Sequence, residues 1–413
     1  MKVPNRIHYG WVVVIGAFLC LVSFGLSRYL YPYVLPTMGA ELNVLHETMG
    51  NIASAYFIGY AIMTFVWGIL TDRIGPRKCM LLGHVVILIG FVGMGFMSSV
   101  PAGCFFYFLC GAGAAGLFVP AASLIPRWFG ATRRGIALGI TTAGMGVSPL
   151  VLGFAIPTVL SALSWRWSWW IGAAFILIIL IVCRFLLVET PAEKGLTRIG
   201  ANEEFSASGL EHTKRNPEQT EPKLDIRHIL KQDTVWNLAG VYFMFGLGYT
   251  IFMTFAIAYL EEIGWEAQAA AAAFALWGAL SIPSPIAWGF IADRLTKKYV
   301  FAIALALEAI GILVFLGGSP IGSYVGAAIV GFAYIGTPTV IATAMADYYE
   351  PKVIGTTFGF ITLCFGIGCI IGPTLGGVLA DTTETLNTAL LASLGATTLG
   401  VVLALFLKKP PKR

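Results

Sequence analysis

Long apolar runs separated by short polar breaks recur along almost the whole 413-residue chain. Each run has about 20 residues or more, the length that a helix needs to cross a bilayer. Backbone groups in hydrocarbon must be hydrogen-bonded within their own segment, so runs of this length predict helices rather than strands. The pattern predicts twelve spans, at residues 9–36, 49–71, 79–98, 102–126, 135–161, 167–188, 235–260, 269–292, 299–317, 322–345, 355–380 and 387–407.

One long polar stretch, residues 189–234, interrupts the apolar pattern between the sixth and seventh predicted spans. It is rich in Glu, Lys, Thr and Pro, the composition of a solvated linker, and a short helix is predicted near Ile226–Leu230. The chain is therefore predicted to have three parts. These are a six-helix bundle at residues 1–188, the linker at 189–234 and a second six-helix bundle at 235–413.

The composition supports a membrane protein, because 57% of the residues are hydrophobic and only 11% are charged. Soluble domains have about 25% charged residues. The seven cysteines form no CxxC pair, so we interpret them as small core residues rather than as disulfides or metal ligands. The first apolar run is too long for a signal peptide and lacks a clear cleavage site, so it is predicted to be the first span.

Lys and Arg residues cluster in alternate loops, which define one end of the predicted bundle, here named the basic face. Its charges are Arg73, Arg77, Lys78, Arg127, Arg133, Arg134, Arg294, Lys297, Lys298, Lys408, Lys409, Lys412 and Arg413. The opposite loops, here named the acidic face, hold Glu41, Glu47, Glu261, Glu262, Glu266, Asp381 and Glu384, with Arg166 as the exception. The positive-inside rule predicts that the basic face, both termini and the linker are cytoplasmic in a multi-pass inner-membrane protein.

The two halves of the sequence repeat each other. The segment VWGILTDRIGPRK at 66–78 returns as AWGFIADRLTKKY at 287–299, and the same offset aligns Arg28 with Tyr249. A glycine-proline series also recurs, with Gly135, Gly144, Ser148, Pro149 and Gly153 matched by Gly359, Gly368, Gly372, Pro373 and Gly377. Duplicated bundles suit alternating access, in which two halves rock around a site near the bilayer midplane.

The segment at 68–78 resembles the signature of the loop between spans 2 and 3 in the major facilitator superfamily. RRGIALGI at 133–140, SWRWSWWIGA at 164–173 and the glycine-proline series resemble other patterns of that family. The resemblance implies a secondary transporter with twelve helices in two pseudo-symmetric six-helix bundles. It also implies that spans 1, 4, 7 and 10 line the central path.

Within that superfamily, GLSRYLYPYVLPTM at 25–38 resembles the organic-anion branch, which includes anion:cation symporters and monocarboxylate-like carriers. Some of those carriers have an Asp-Arg pair in span 1. The arginine matches Arg28, whereas the position of the acid is occupied by Ser27.

Arg28 is the only charge between Trp11 and Leu35, well inside the first predicted span. On insertion scales, an arginine at the centre of a span costs about 2.5–3.5 kcal/mol. Arginine cannot lose its proton, and its planar fork binds a carboxylate through two parallel hydrogen bonds. Arg28 is therefore predicted to bind an anionic substrate. The alternative is that it bonds backbone carbonyls or extends toward the nearer interface.

Polar and aromatic side chains in spans 1, 2, 7, 8 and 10 are further candidates for contact with the substrate, although each alone is also compatible with packing. They are Tyr31, Tyr56, Tyr60, Tyr249, Trp277, Ser281 and Tyr334. Glu308 is the only acid well inside a span, which makes it the candidate for proton coupling; packing against a polar neighbour is the alternative.

The charged residues of the repeated loop are predicted from the family resemblance to form a conformational latch, and simple topology anchoring is the alternative. They are Asp72, Arg73, Arg77, Lys78, Asp293 and Arg294. Their charges could hold the two halves together on the basic face in one state and release them in the other.

The sequence lacks the motifs of an enzyme: it has no P-loop, no HExxH and no nucleophile elbow with a plausible triad. No cofactor, metal or nucleic-acid partner is expected. The protein is expected to be a monomer. The predicted function is proton-coupled secondary transport of a small organic anion, a carboxylate or similar acid. The alternatives are an exporter of amphipathic, drug-like compounds by proton antiport and a non-transporting membrane sensor.

Overall fold

The computed structural model describes residues 8–200, 232–349 and 351–408, with the side chains of 131–132, 293, 342–343, 346 and 351–356 outside the description. Within these ranges the chain forms fourteen α-helices and one 3-10 turn. The helices before the gap at 201–231, here called the first half, are α1 (Tyr9–Leu42), α2 (His46–Ile74), α3 (Pro76–Phe96), α4 (Val100–Trp128), α5 (Ala131–Ala162) and α6 (Trp165–Leu186). The second half contains α7 (Asp233–Glu262), α8 (Ala267–Ser281), α9 (Ser284–Arg294), α10 (Lys297–Leu316), α11 (Pro320–Tyr334), α12 (Gly336–Tyr348), α13 (Pro351–Thr383) and α14 (Leu386–Leu405).

The all-helical membrane fold is confirmed. Among the described residues, eleven helical segments are long and apolar enough to cross a bilayer, and a bent pair, α8 with α9, makes a twelfth. The eighth span is the bent pair, with an angle of 45° between α8 and α9. The tenth has a one-residue junction at Ile335 between α11 and α12.

A proline lies at or near both junctions. Pro283 separates α8 from α9, and Pro338 follows the junction between α11 and α12 at Ile335. Proline has no backbone N–H to donate, and its ring clashes with the carbonyl four residues earlier. A helix that runs through either position therefore bends or restarts.

The helices of each half approach closely at glycine positions. A side chain at Gly111 in α4 would overlap the carbonyl of Tyr56 in α2, and one at Gly331 in α11 would overlap the carbonyl of Trp277 in α8. Small residues permit this approach inside a membrane, where helix association depends on packing rather than on the hydrophobic effect. These contacts fix where the neighbouring aromatic side chains point.

The two halves meet along three helix pairs: α2 with α13, α5 with α8, and α1 with α7. Near the acidic face, the glycine-proline series makes the contact. A Cβ at Gly50 would overlap the carbonyl of Pro373, and one at Gly278 would lie 2.6 Å from the ring of Pro149. The pairing of α1 with α7 brings the centres of the two repeats together.

The start of the predicted linker packs against the first half. Residues Pro191–Lys194 form a 3-10 turn. Ile199 then exchanges backbone hydrogen bonds with the end of α4, donating to the Trp128 carbonyl at 3.0 Å and accepting from the Gly130 N–H at 2.8 Å. Residues 201–231 of the linker, including the helix predicted near Ile226–Leu230, lie outside the described residues, and α7 begins at Asp233 within the predicted linker.

Candidate functional site

Arg28 lies at the centre of α1, and only 7% of its surface is exposed. No hydrogen bond or ion pair of its guanidinium is found within the described part of the chain, and its Nε is buried without a partner. The neighbouring Ser27 is uncharged, and its hydroxyl donates to the Phe24 carbonyl at 2.7 Å. Arg28 is therefore a buried cation without a described counter-charge.

Aromatic rings from both halves surround the Arg28 guanidinium. Its central carbon lies 5.1 Å from the ring centre of Phe57 in α2 and 5.1 Å from that of Tyr249 in α7. A third ring, Phe24, lies 6.0 Å away. Cation–π contacts contribute about 0.5–1 kcal/mol at exposed sites and about 2 kcal/mol when desolvated. These rings thus offset part of the cost of burial but supply no negative charge.

A second group of rings extends this site across the interface between the halves. Tyr249 stacks on Tyr334 of α11 with ring centres 4.6 Å apart, and the hydroxyl of Tyr334 lies 3.2 Å from that of Tyr29 in the first half. Trp277 of α8 contacts both Tyr29 and Tyr334 at 5.2 Å. We call the rings of these two groups the aromatic cage: Phe24, Phe57 and Tyr249 beside Arg28, and Tyr29, Trp277 and Tyr334 packed behind them.

Three of the predicted substrate-contacting residues, Tyr249, Trp277 and Tyr334, lie in the cage. Two more border it. The Tyr56 hydroxyl is 3.3 Å from that of Ser27, and the Tyr60 ring packs edge-on against Phe24 with ring centres 6.0 Å apart. All five lie on helix faces that the fold directs toward Arg28.

The other two predicted contacts, Tyr31 and Ser281, lie outside the cage. The Tyr31 ring stacks on Tyr107 within the first half, and its hydroxyl donates to the Met49 carbonyl at 2.6 Å. The Ser281 hydroxyl donates to the Gly278 carbonyl at 2.7 Å, in the packed interface between α8 and α5. Both hydroxyls already have backbone partners.

Three members of the cage were not predicted from the sequence: Phe24, Tyr29 and Phe57. Tyr29 directly follows Arg28, and Phe57 directly follows Tyr56, so the signal was adjacency to residues already chosen. A single phenyl ring in an apolar span carries no mark of a site. The assignment of these three residues required the positions of the neighbouring helices.

The predicted latch residues are not paired across the halves within the described part of the chain. Asp72, Arg73 and Lys78 are exposed, and Arg77 donates to the Arg184 carbonyl at 2.9 Å within the first half. The Arg294 guanidinium lies 3.8 Å from the ring centre of Phe290, and the side chain of its neighbour, Asp293, lies outside the description.

Glu308 is fully buried in α10, and neither carboxyl oxygen has a hydrogen-bond partner in the described part of the chain. The helix contributes no residue to the aromatic cage. No group of three or more His, Cys, Asp or Glu that could hold a metal ion occurs among the described residues. Arg28 and Glu308 are thus two separate buried ionisable groups.

Comparison with known proteins places this arrangement in context. The sequence profile of the Major Facilitator Superfamily matches residues 17–297 and, in a second match, residues 238–413. The hexuronate transporter of Bacillus subtilis (strain 168) is 24% identical over 412 residues, covering 93% of this chain and 91% of that protein. The oxalate:formate antiporter of Oxalobacter formigenes is 24% identical over 347 residues, covering 82% and 77%.

Among solved structures, a bacterial homologue of the human lysosomal transporter Spinster, in an inward-facing and occupied conformation, is similar with a TM-score of 0.74. The match covers 98% of this chain and 97% of that chain at 17% sequence identity. At this identity the likeness shows the fold alone.

Proposed function

This chain belongs to the major facilitator superfamily, and on that premise we propose that it transports a small organic anion by alternating access. It is a membrane transporter and not an enzyme. The observation that carries the proposal is the Arg28 guanidinium, which is buried between rings of both halves without a described partner.

A substrate carboxylate, or the anionic group of a similar acid, supplies the negative counter-charge of Arg28 that the described residues do not provide. A buried charge is costly unless it is paired and hydrogen-bonded. The guanidinium fork offers a carboxylate two parallel hydrogen bonds, which gives both strength and orientation. Because Phe57 and Tyr249 come from different halves, an anion held by Arg28 touches both parts that move in alternating access.

The named substrates of two relatives agree with this assignment. Hexuronate, and both oxalate and formate, are carboxylates. The proposal carries over the anionic group and not any of these particular molecules, since the relatives are 24% identical to this chain.

The proposal also includes the orientation of the protein in the membrane and its coupling to protons. The basic face is cytoplasmic by the positive-inside rule, and the polar stretch 189–234 joins the two bundles on that side. Glu308 is the proposed proton carrier, because acids inside spans often serve as proton relays. Replacement of Glu308 by Gln is expected to make uptake insensitive to a proton gradient while leaving substrate binding intact.

The first experiment measures the thermal stability of the purified protein with a panel of carboxylates and sulfonates. Arg28→Ala and Arg28→Lys are measured beside it, with Arg166→Ala on the acidic face as the matched control. We expect one class of acid to stabilise the wild type and the control but not Arg28→Ala. Arg28→Lys should bind more weakly, because an ammonium lacks the planar fork.

The opposite results identify the rival function. If no acid stabilises the wild type, or if a folded Arg28→Ala binds acids as well as the wild type does, Arg28 is structural. An exporter of amphipathic compounds then becomes the better reading, because the aromatic cage would bind an apolar ligand without help from the charge.

A further inference from the structure

The aromatic cage holds a single fixed charge. The five helices that contribute it, α1, α2, α7, α8 and α11, contain no Asp, Glu, Lys or Arg apart from Arg28 and those in their terminal turns. The buried Glu308 lies on α10, outside the cage. One ligand charge therefore neutralises the site, and a second ligand charge would be buried without a partner.

The cage also has little capacity to bond a sugar. The hydroxyls of Tyr29 and Tyr334 contact each other at 3.2 Å, and the Tyr249 hydroxyl donates to the sulfur of Met253 at 3.0 Å. One O–H of the Tyr29–Tyr334 pair and the indole Nε1 of Trp277, which is buried without a described partner, remain as donors. A ligand with several hydroxyl groups would lose hydrogen bonds to water that these side chains do not replace.

Aromatic surface continues from Arg28 toward the basic face. Along α7, Phe245 follows Tyr249 with ring centres 5.7 Å apart, and Tyr242 stacks on Phe365 of α13 at 4.5 Å. Phe365 is only partly buried, as are Tyr60 and Phe118 on the first half. The side of the cage toward the basic face is therefore lined by rings.

The opposite side of the cage is closed. Toward the acidic face, Tyr31 and Tyr33 are almost completely buried, and the Tyr33 hydroxyl donates to the Pro149 carbonyl at 2.7 Å. A ligand that reaches Arg28 from the basic face thus passes aromatic surfaces on its way and lies between them once it is bound.

We propose that the transported anion is monovalent and has a flat, mainly apolar body, as an aromatic monocarboxylate does. This inference rests on the proposed function and narrows it. The carboxylate pairs with the Arg28 guanidinium beside Phe57 and Tyr249, and the body packs against the rings of the cage. Offset and edge-on contacts between aromatic rings provide such a body with specific packing.

The test compares probes that differ in one property at a time. Benzoate and phenylacetate carry one charge on an aromatic body. Terephthalate has the same ring with a second charge, glucuronate has one charge with a polyhydroxylated body, and oxalate has two charges without a ring. Calorimetric titration of the purified full-length protein gives a dissociation constant for each probe.

We expect benzoate or phenylacetate to bind at least about tenfold more tightly than the other three probes, a difference of about 1.4 kcal/mol. Tyr334→Phe should retain this preference, and Tyr334→Leu should lose it. Phe315→Leu is the matched control, because Phe315 is a buried ring of α10 outside the cage. Binding to Arg28→Ala should be undetectable.

Two other outcomes would overturn the proposal, and they lead to different conclusions about the proposed function. Tighter binding of oxalate, terephthalate or glucuronate that depends on Arg28 overturns the narrowed substrate class and leaves an anion carrier. Absence of Arg28-dependent binding for all probes overturns both the substrate class and the proposed function.

Discussion

The interface between the two halves differs sharply between its two ends. At the acidic face, the Asp381 carboxylate of α13 accepts hydrogen bonds from the backbone N–H groups of His46 at 3.0 Å and Glu47 at 2.7 Å, and it contacts the His46 ring at 2.9 Å. At the basic face, the repeated loop charges Asp72 and Arg73 are exposed without a described partner in the opposite half.

The acidic end is closed by packing as well as by charge. The Ser54 hydroxyl donates to the Ile370 carbonyl at 2.6 Å and lies 2.9 Å from the hydroxyl of Thr374, which in turn donates to Asn51 at 2.8 Å. A side chain at Gly377 would overlap the backbone at the start of α2. Polar and steric contacts thus act together at this end.

The contacts at the acidic end stabilise the state that the structure represents. Asp381 lies at the N-terminus of α2, where free backbone N–H groups and the helix dipole favour a negative charge. The acidic end is therefore held shut by a carboxylate of one half on a helix end of the other. The latch predicted at the basic end from the family resemblance would act in the alternate state.

The largest effect is expected from a side chain inserted into the closed end. Gly377→Val places atoms against the backbone at His46, whereas Gly359→Val in the same helix meets nothing within 4 Å. Overpacking costs about 1–3 kcal/mol, so the closed acidic end should be disfavoured about 5- to 150-fold. Transport in proteoliposomes should fall accordingly for Gly377→Val and remain near wild type for Gly359→Val.

Spin labels at Leu45 and Thr382, both exposed on the acidic face, report the same change as a distance. We expect the distance distribution to shift to longer values in Gly377→Val. An unchanged distribution with normal transport would show that contact at this glycine does not limit closure.

The next largest effect is expected from Asp381→Ala, which removes the acceptor of the hydrogen bonds between α13 and α2. Hydrogen bonds to charged groups contribute about 1.5–3 kcal/mol each, and the site is partly exposed, so we expect a population shift of about tenfold. Asp381→Asn keeps one acceptor oxygen and should give a smaller shift. The distance between spin labels at Leu45 and Thr382 measures the shift in both variants. Equal distances in the wild type, Asp381→Ala and Asp381→Asn would contradict the prediction.

Asp72→Asn tests the predicted latch at the basic face. Because Asp72 is exposed and has no described partner, the melting temperature of the protein should change little, by an amount that corresponds to about 0.5 kcal/mol or less. Transport should fall several-fold, because the predicted latch acts in the state not seen here. A large loss of stability without a loss of transport would instead favour simple anchoring.

The smallest effect is expected from His46→Gln. The His46 side chain is 44% exposed, and exposed pairs contribute about 0–1 kcal/mol. The backbone N–H groups that donate to Asp381 remain in this variant. We expect transport within about twofold of wild type, and a loss as large as that of Asp381→Ala would assign the closure to the imidazole rather than to the helix end.

The fold was largely predictable from the sequence because each span is a local property of an apolar run. The breaks at Pro283 and Ile335 were not predicted, since the runs that contain them remain apolar throughout. Proline chemistry alone did not mark these positions, because Pro149 and Pro373 lie inside uninterrupted helices.

The site was predictable only in part. Arg28 stands out because a charge in a span is rare. Trp277 and Ser281 lie one helical turn apart, and both were predicted to contact the substrate. The Trp277 ring is part of the cage, whereas the Ser281 hydroxyl donates to the Gly278 carbonyl of its own helix. Which side of α8 meets the first half depends on Gly278 and Pro149, and such a contact between distant segments is absent from local periodicity.

The unpaired guanidinium gives the empty and the loaded carrier different energies of closure. In the proposed cycle, halves that close around a bound anion bury a neutral pair, whereas halves that close around an empty site bury the bare charge of Arg28. Burial of an uncompensated charge is the more costly event. The return of the unloaded carrier is therefore expected to be the slow step, and one-for-one exchange of anions should run faster than net flux.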